Sequence, residues 1–425
     1  MPHQADDLWH NPGFLKLWAG QAASLLGSQV TLLALPLAAA LALDATAIEM
    51  GILTAAGSLP PLVAAAAAGV WADRARRRPI LVGADLGRAL LLGSVPVAAL
   101  TTELSIEYLW MVALLAGLLT TCFDVVHPSL LPTLVRREQL VDANSKLEVS
   151  RSGALIVGPG LAGLLVQLLT APIAILVDAL SYLASALLMS RIRAPEQPPL
   201  RDETGRGLWS EAREGLRTVL RDPVLSAMAT SLCVFNLFYS VIGAVYVLFL
   251  TRELEIPPAG VGLVYTLGSA AFPVGAAAAG WVARRLGVGG AIVWGAGVSD
   301  AGFLLLPLAG GPPAVAVTLL VASWLVATLA GPVTAINQLS LRQAVTPDHL
   351  LGRVNGAMLT IALGTAPLGA LLGGLLGDAI GLRPAILIGA IGLQLGFVRL
   401  LLSPVRSVRH VPGEAGTGTG GWNAS

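Results

Sequence analysis

Charged residues are rare in this sequence, and several lie so deep in apolar stretches that each is a candidate for chemistry. Asp85 and Arg88 stand three residues apart inside one apolar run, and Asp124 and His127 do so inside another. On a helix that spacing puts both members of a pair on one face. Asp178 and Asp300 stand alone in their runs. Between two further runs, the stretch Gly69-Val70-Trp71-Ala72-Asp73-Arg74-Ala75-Arg76-Arg77-Arg78-Pro79 confines one acid with four arginines. An acid in such surroundings can pair with a cation, hold a helix N-terminus or carry a proton, and an arginine can clamp an acid or a lipid phosphate. Metal or nucleophile chemistry would instead need His, Asp or Cys gathered on one face. Cys122, Asp124 and His127 are the only such crowd, and a step of two turns Cys122 away from Asp124. An enzyme is therefore not expected, no metal or cofactor is implied, and no Gly-x-x-x-x-Gly-Lys-Ser/Thr loop exists to drive a nucleotide-powered pump.

The elements that position these residues are long and apolar. Of 425 residues 55% are hydrophobic and only 12% charged, with mean hydropathy +0.76, against about a quarter charged in soluble domains. A span needs about 20 apolar residues. Runs of that order lie at 14–43, 48–71, 79–101, 108–131, 150–169, 172–189, 224–250, 259–283, 288–309, 312–341, 354–380 and 384–402, so an all-α membrane protein of twelve spans is expected. The first run is too long for a signal-peptide core of roughly 7–15 residues and is expected to remain as a span. The net charge of +1 gives no global attraction to nucleic acid. Basic residues concentrate in cytoplasmic loops. Placing the amino terminus inside puts Arg74–Arg78, Arg136, Arg137, Lys146, Arg284, Arg285, Arg342, Arg353, Arg406 and Arg409 on that side, leaving only Arg252 and Arg383 outside. Both termini are then cytoplasmic.

The longest polar interruption divides the chain into a first half (1–192), a linker (193–223), a second half (224–403) and a Gly/Thr-rich tail (404–425) expected to be disordered. Within the linker, Trp209, Ala212, Leu216, Val219 and Leu220 recur at helical spacing. They predict an amphipathic helix that lies on the membrane surface or packs on the end of the bundle. A shift of 211 residues sets Gly51 on Gly262, Gly57-Ser58 on Gly268-Ser269, Gly69 on Gly280, Asn144 on Asn355, Gly153 on Gly364, Gly158 on Gly369 and Gly163 on Gly374. An offset of six helices gives parallel halves related by an axis along the membrane normal. Arg284 stands where the first half has Asp73, so the acid is not repeated.

The charged turn, with its Gly69, Asp73, Arg74, Arg77 and Arg78, resembles the loop between the second and third helices of the major facilitator superfamily. Leu15-Lys16-Leu17-Trp18-Ala19-Gly20-Gln21, Ser24-Leu25-Leu26-Gly27-Ser28, Ala84-Asp85 with Arg88-Ala89, Leu131-Pro132-Thr133-Leu134-Val135 and Val141-Asp142-Ala143-Asn144 resemble the macrolide and enterobactin exporter branch of drug:proton antiporters. The resemblance implies a fold of two six-helix halves and export of an amphiphilic drug or a siderophore by alternating access. It also implies a proton gradient as the energy source, a monomer in the bacterial inner membrane, and lipid and a small-molecule substrate as partners. Lipid flipping or uptake by the same fold is the rival reading. In that family the acid of the turn sits at the start of the eleventh helix and, with the nearby arginine and an acid on the fourth helix, shuts the cytoplasmic side. Those positions correspond to Asp73, Arg77 and Asp124, with Asp85 and Arg88 extending the network; a proton or cation site is the other reading of Asp124. Arg76 stands where the family has a second glycine. Gly153, Gly158, Pro159 and Gly163 resemble the Gly-Pro element of antiporter-type exporters, and ordinary helix packing explains the same small residues. Helices one, four, seven and ten line the cavity in this family, which points to Gln21, Gln29, Asp124, Asn236, Tyr239, Tyr246, Trp324 and Asn337. Asp178 and Asp300 fall on peripheral helices and are expected to pair with other helices.

Overall fold

Long apolar runs surrounded by lipid can satisfy their backbone groups only as helices or closed barrels, and among the described residues the chain is helical with no strand. The computed structural model describes residues 8–74, 77–101, 103–192 and 208–409, with side chains described outside 64–74 and 208–212. The expected linker segment 193–207 and the tail from 410 lie outside the described residues, but 404–409, expected to be disordered, are ordered, with Val405 buried and the Val408 carbonyl accepting from Gly289 N–H at 2.8 Å. The first half contains α1 (Pro12–Ala42), α2 (Ala47–Arg74), α3 (Arg77–Leu100), α4 (Ile106–Val126), α5 (Leu140–Leu169) and α6 (Ala171–Ser190). The second contains α7 (Pro223–Leu248), α8 in two segments (Pro258–Ser269 and Phe272–Leu286), α9 (Val288–Gly302), α10 (Pro313–Val345), α11 (Leu351–Ile380) and α12 (Leu382–Leu401). Eleven helices are long and apolar enough to cross a membrane, and Ala47–Val63 of α2 adds a shorter apolar stretch.

Two boundaries differ from the sequence reading for a physical reason. α5 begins at Leu140, before its apolar run, because polar residues can extend a helix beyond the membrane when they pair along it, as Lys146 does with Asp142 at 2.6 Å. α2 runs through Gly69 to Arg74 and α3 starts at Arg77, so the turn is shorter than the charged stretch. The amphipathic helix Leu208–Arg221 packs on the start of α11: Val219 is buried, Glu214 pairs with Arg353 at 2.7 Å, and Gly215 lies against the Arg353 backbone. Leu216 and Leu220 stay exposed on its flank, so it both docks on the bundle and offers apolar surface.

We call the end where α1 begins and α12 ends basal, and the opposite end distal. The hydrogen bonds that join the halves in the described structure cluster at the distal end. Asp378, near the end of α11, accepts from the free N–H groups of Ala47 (2.9 Å) and Ile48 (3.1 Å) at the start of α2. Gln167, near the end of α5, accepts from Ala259 N–H at the start of α8 (3.0 Å). Under the shift of 211 residues Gln167 falls on Asp378 and Ile48 on Ala259, so one device is built twice. Behind each cap two glycines meet: a Cβ on Gly374 would lie 3.1 Å from Gly51 Cα, and one on Gly262 would lie 3.0 Å from Gly163 Cα. Arg252 adds an ion pair to Asp44 at 2.7 Å. Nearer the basal end, Gly153 of α5 and Gly352 and Gly356 of α11 face open space.

This seal gives an asymmetric expectation. An anion at a helix N-terminus satisfies orphan donors and the helix dipole together. Asp378→Ala should therefore cost about 0.5–2 kcal/mol of the distally closed state, read as a lowered unfolding temperature. The neutral, single-bonded Gln167→Ala should cost less.

Candidate functional site

Within the first half, α6 packs on α1 and α3, and α4 packs on α2 and α3, while α1 and α4 barely touch. The gap between them is a recess of about 490 Å³ reaching back to α3 and α6. Its walls are mostly aliphatic, and Leu32 at its mouth is 69% exposed, so the recess is open. Its polar groups converge at the back: Arg88 from α3, Asp178 and Tyr182 from α6, and Ser28 and Thr31 from α1.

Asp85 and Arg88, one helical turn apart on α3, form a buried ion pair with both side chains withdrawn from solvent. The Arg88 guanidinium lies between two rings, 4.5 Å from the Phe123 centroid and 4.1 Å from that of Tyr182, and donates to Thr120 Oγ1 at 3.4 Å. Cation–π contact and a carboxylate together compensate a charge that lipid alone would not tolerate. Tyr182 Oη and Ser28 Oγ share a hydrogen bond of 2.8 Å, which ties α6 to α1. Asp178 Oδ1 accepts from Ser181 Oγ at 3.1 Å, and the Thr31 hydroxyl of α1 also acts on the Asp178 carboxylate. Arg88 being committed to Asp85, Asp178 is the acid of the recess without an ion pair of its own among the described residues.

The expected gating residues are only partly assembled. The side chains of Gly69, Asp73 and Arg74 lie outside the described residues. Arg77 donates to the Ser129 carbonyl at 3.0 Å rather than to Asp124. Asp124 is exposed and makes no ion pair, with Arg88 and Arg151 the cations that act on it. Of the three clamp residues, only Arg77 and Asp124 have described side chains, and these two do not pair with each other. The Gly-Pro element divides: Gly158 packs against the Gln29 side chain and Gly163 against Gly262, whereas Gly153 touches nothing.

The residues expected to line the cavity also separate. Gln21 has an unpartnered Oε1, and Asn236 is spent on the Leu232 carbonyl of its own helix (2.9 Å). Tyr239 and Trp324 belong to an aromatic cluster with Phe303, in which Trp324 Nε1 donates to Tyr246 Oη at 2.9 Å. Tyr246 is fully buried there, without the side-chain freedom expected of a cavity-lining group, whereas Asn337, which donates to the Val333 carbonyl (2.8 Å), does line a cavity, one of about 1080 Å³ between α8 and α10 at the basal end. The expectation that Asp178 and Asp300 pair with other helices divides between the two. For Asp300 this is a correction of what was expected, since it bonds to nothing among the described residues, whereas Asp178 bonds to Ser181 of its own helix and also meets Thr31 of α1. Tyr182 and Ser181 were not singled out from the sequence, although Asp178 at three and four residues before them marks their shared face.

The profile of the Major Facilitator Superfamily matches residues 17–364. The multidrug efflux pump Tap of Mycolicibacterium fortuitum is 30% identical over 412 residues, covering 93% of this chain and 97% of that protein. Macrolide efflux protein A of Streptococcus pyogenes is 23% identical over 402 residues, with 93% and 97% covered. Among solved structures, a bacterial homologue of the iron transporter ferroportin in its inward-facing state superposes with a TM-score of 0.74 at 18% identity, covering 92% of this chain and 98% of that one. That likeness is one of fold alone. Two six-helix halves sealed by a repeated contact, apolar spans and a match across most of the chain agree, and this chain belongs to the major facilitator superfamily as a multi-pass membrane transporter.

Proposed function

We propose that this transporter exports amphiphilic organic molecules, neutral or cationic, by alternating access driven by a proton gradient. The carrying observation is the recess in the first half, with apolar walls and, at its back, an acid without an ion pair of its own among the described residues. Apolar surface with a few fixed polar groups suits an amphiphile. When ionised, this acid favours a cation or a neutral molecule over an acidic siderophore. The names of the multidrug and macrolide efflux relatives support export. In this reading the basal end, rich in arginine, faces the cytoplasm of a bacterium, both termini lie there, and the protein works as a monomer in the inner membrane. Substrate enters from the basal side. Closing that side brings Asp73 to the first turn of α11, with Arg77 and Asp124 completing the clamp, while the caps at Asp378 and Gln167 release.

The test is uptake into inverted vesicles of ethidium, a lipophilic cation, and of a neutral macrolide. Accumulation should collapse with an uncoupler, and accumulation indifferent to it would refute proton coupling. Loss of a charge-assisted contact is worth about 1.5–3 kcal/mol. Asp178→Asn should therefore reduce ethidium transport by at least about tenfold and leave the neutral substrate much less affected. An equal loss for both would argue that Asp178 does not meet substrate.

A further inference from the structure

The second half holds a smaller recess of about 140 Å³ between α7 and α10, with α9 behind it. Asp300 of α9 lines it and is 4% exposed. α8, α10 and α12 pack on α9 and α7 borders the recess, yet among the described residues none brings a charged or titratable group to this carboxylate. Its surroundings are hydroxyls and an amide: Ser231 of α7, Ser299 of α9, and Thr334 and Gln338 of α10.

The internal repeat explains why the acid stands alone. Under the shift of 211 residues Arg88 falls on Ser299, Asp85 on Ala296, Asp124 on Ala335 and His127 on Gln338. The first half fills this place with an arginine, its ion pair and a stacked ring. The second half has a serine in place of the arginine and carries its acid at Asp300, one residue past the position of Arg88 and four past that of Asp85, and the recess lies against all three positions. A carboxylate inside a span without a cation is costly and marks an ion pathway by default. The recess has room for a few waters at about 30 Å³ each, and its polar rim offers oxygen ligands of the kind hard cations take.

We propose that Asp300 forms a site for an exchangeable monovalent cation, a proton or a sodium ion, held by its carboxylate and the neighbouring hydroxyl and amide oxygens. The site is separate from the substrate recess around Asp178, so coupling ion and substrate occupy opposite halves. This assignment rests on the reading of ion-coupled transport for its role, and on the recess alone for its existence.

The purified full-length protein is treated with dicyclohexylcarbodiimide, which captures protonated carboxyls in apolar surroundings, and the adduct on Asp300 is quantified by mass spectrometry across pH with sodium or choline chloride. A proton site gives labelling that falls about tenfold per pH unit above its midpoint, whatever the salt. A sodium site gives labelling suppressed by sodium and not by choline at one pH. Labelling of Asp300 that responds to neither overturns the proposal, as does labelling of other buried acids with Asp300 untouched. Asp300→Asn is then compared with the native protein in proteoliposomes. It should lose gradient-driven ethidium accumulation by at least tenfold while retaining ethidium exchange at equal concentrations on both sides. Full accumulation by Asp300→Asn also overturns the proposal, even where no carboxyl is labelled. Native protein that ignores both gradients refutes coupled export and leaves the cation-dependent labelling to decide the site.

Discussion

Arg88→Met should cost the folded protein about 3–5 kcal/mol, the range for removing one partner of a buried ion pair. Methionine keeps an unbranched stem between Phe123 and Tyr182, so the loss isolates the charge. Asp85 is 0% exposed and Arg88 is the cation that acts on it, so the variant leaves the acid uncompensated. Adding Asp85→Asn should recover a large part of the loss, because a neutral amide is far cheaper to bury than a carboxylate. Thermal unfolding of the three variants in one detergent reads the result. A double variant no more stable than Arg88→Met would place the cost in lost packing. The pair is structural in this account, and it is what leaves Asp178 without an ion pair of its own among the described residues of the substrate recess.

Gly163→Leu should open the distal end. A Cβ there would lie 2.9 Å from Gly262 Cα, a contact with backbone that cannot swing aside. Overpacking costs about 1–3 kcal/mol even where side chains can yield, and here the two helices must separate. The caps between Gln167 and Ala259, and by the same motion between Asp378 and Ala47, depend on that approach. The population should move toward a distally open state. A cysteine at Thr31, in the recess, should then become reactive to an impermeant maleimide applied from the side opposite the termini, at a rate at least tenfold above that of the same cysteine alone. Gly153→Leu, one of the same family element but facing open space, should leave the rate unchanged. Equal rates in both would remove the glycine contact from the gate.

Sequence by itself determined the number and order of the helices, the division into halves, the shared face of Asp85 and Arg88, and the repeat frame that later aligned Gln167 with Asp378. These follow from quantities local in the chain: run length against bilayer thickness, the three-residue step of a helix, and a fixed offset. Only the tertiary structure decided which way each helix turns about its axis. In a soluble helix the apolar stripe marks the core, but here lipid-facing and bundle-facing surfaces are both apolar, so periodicity carries little rotational information. Hence Tyr246, a polar residue on a helix expected to line the cavity, is buried in packing, while Asp178, on a helix expected to be peripheral, closes the back of the open recess. The same ambiguity hid the isolation of Asp300, because whether an acid has a cation depends on which faces of neighbouring helices meet it.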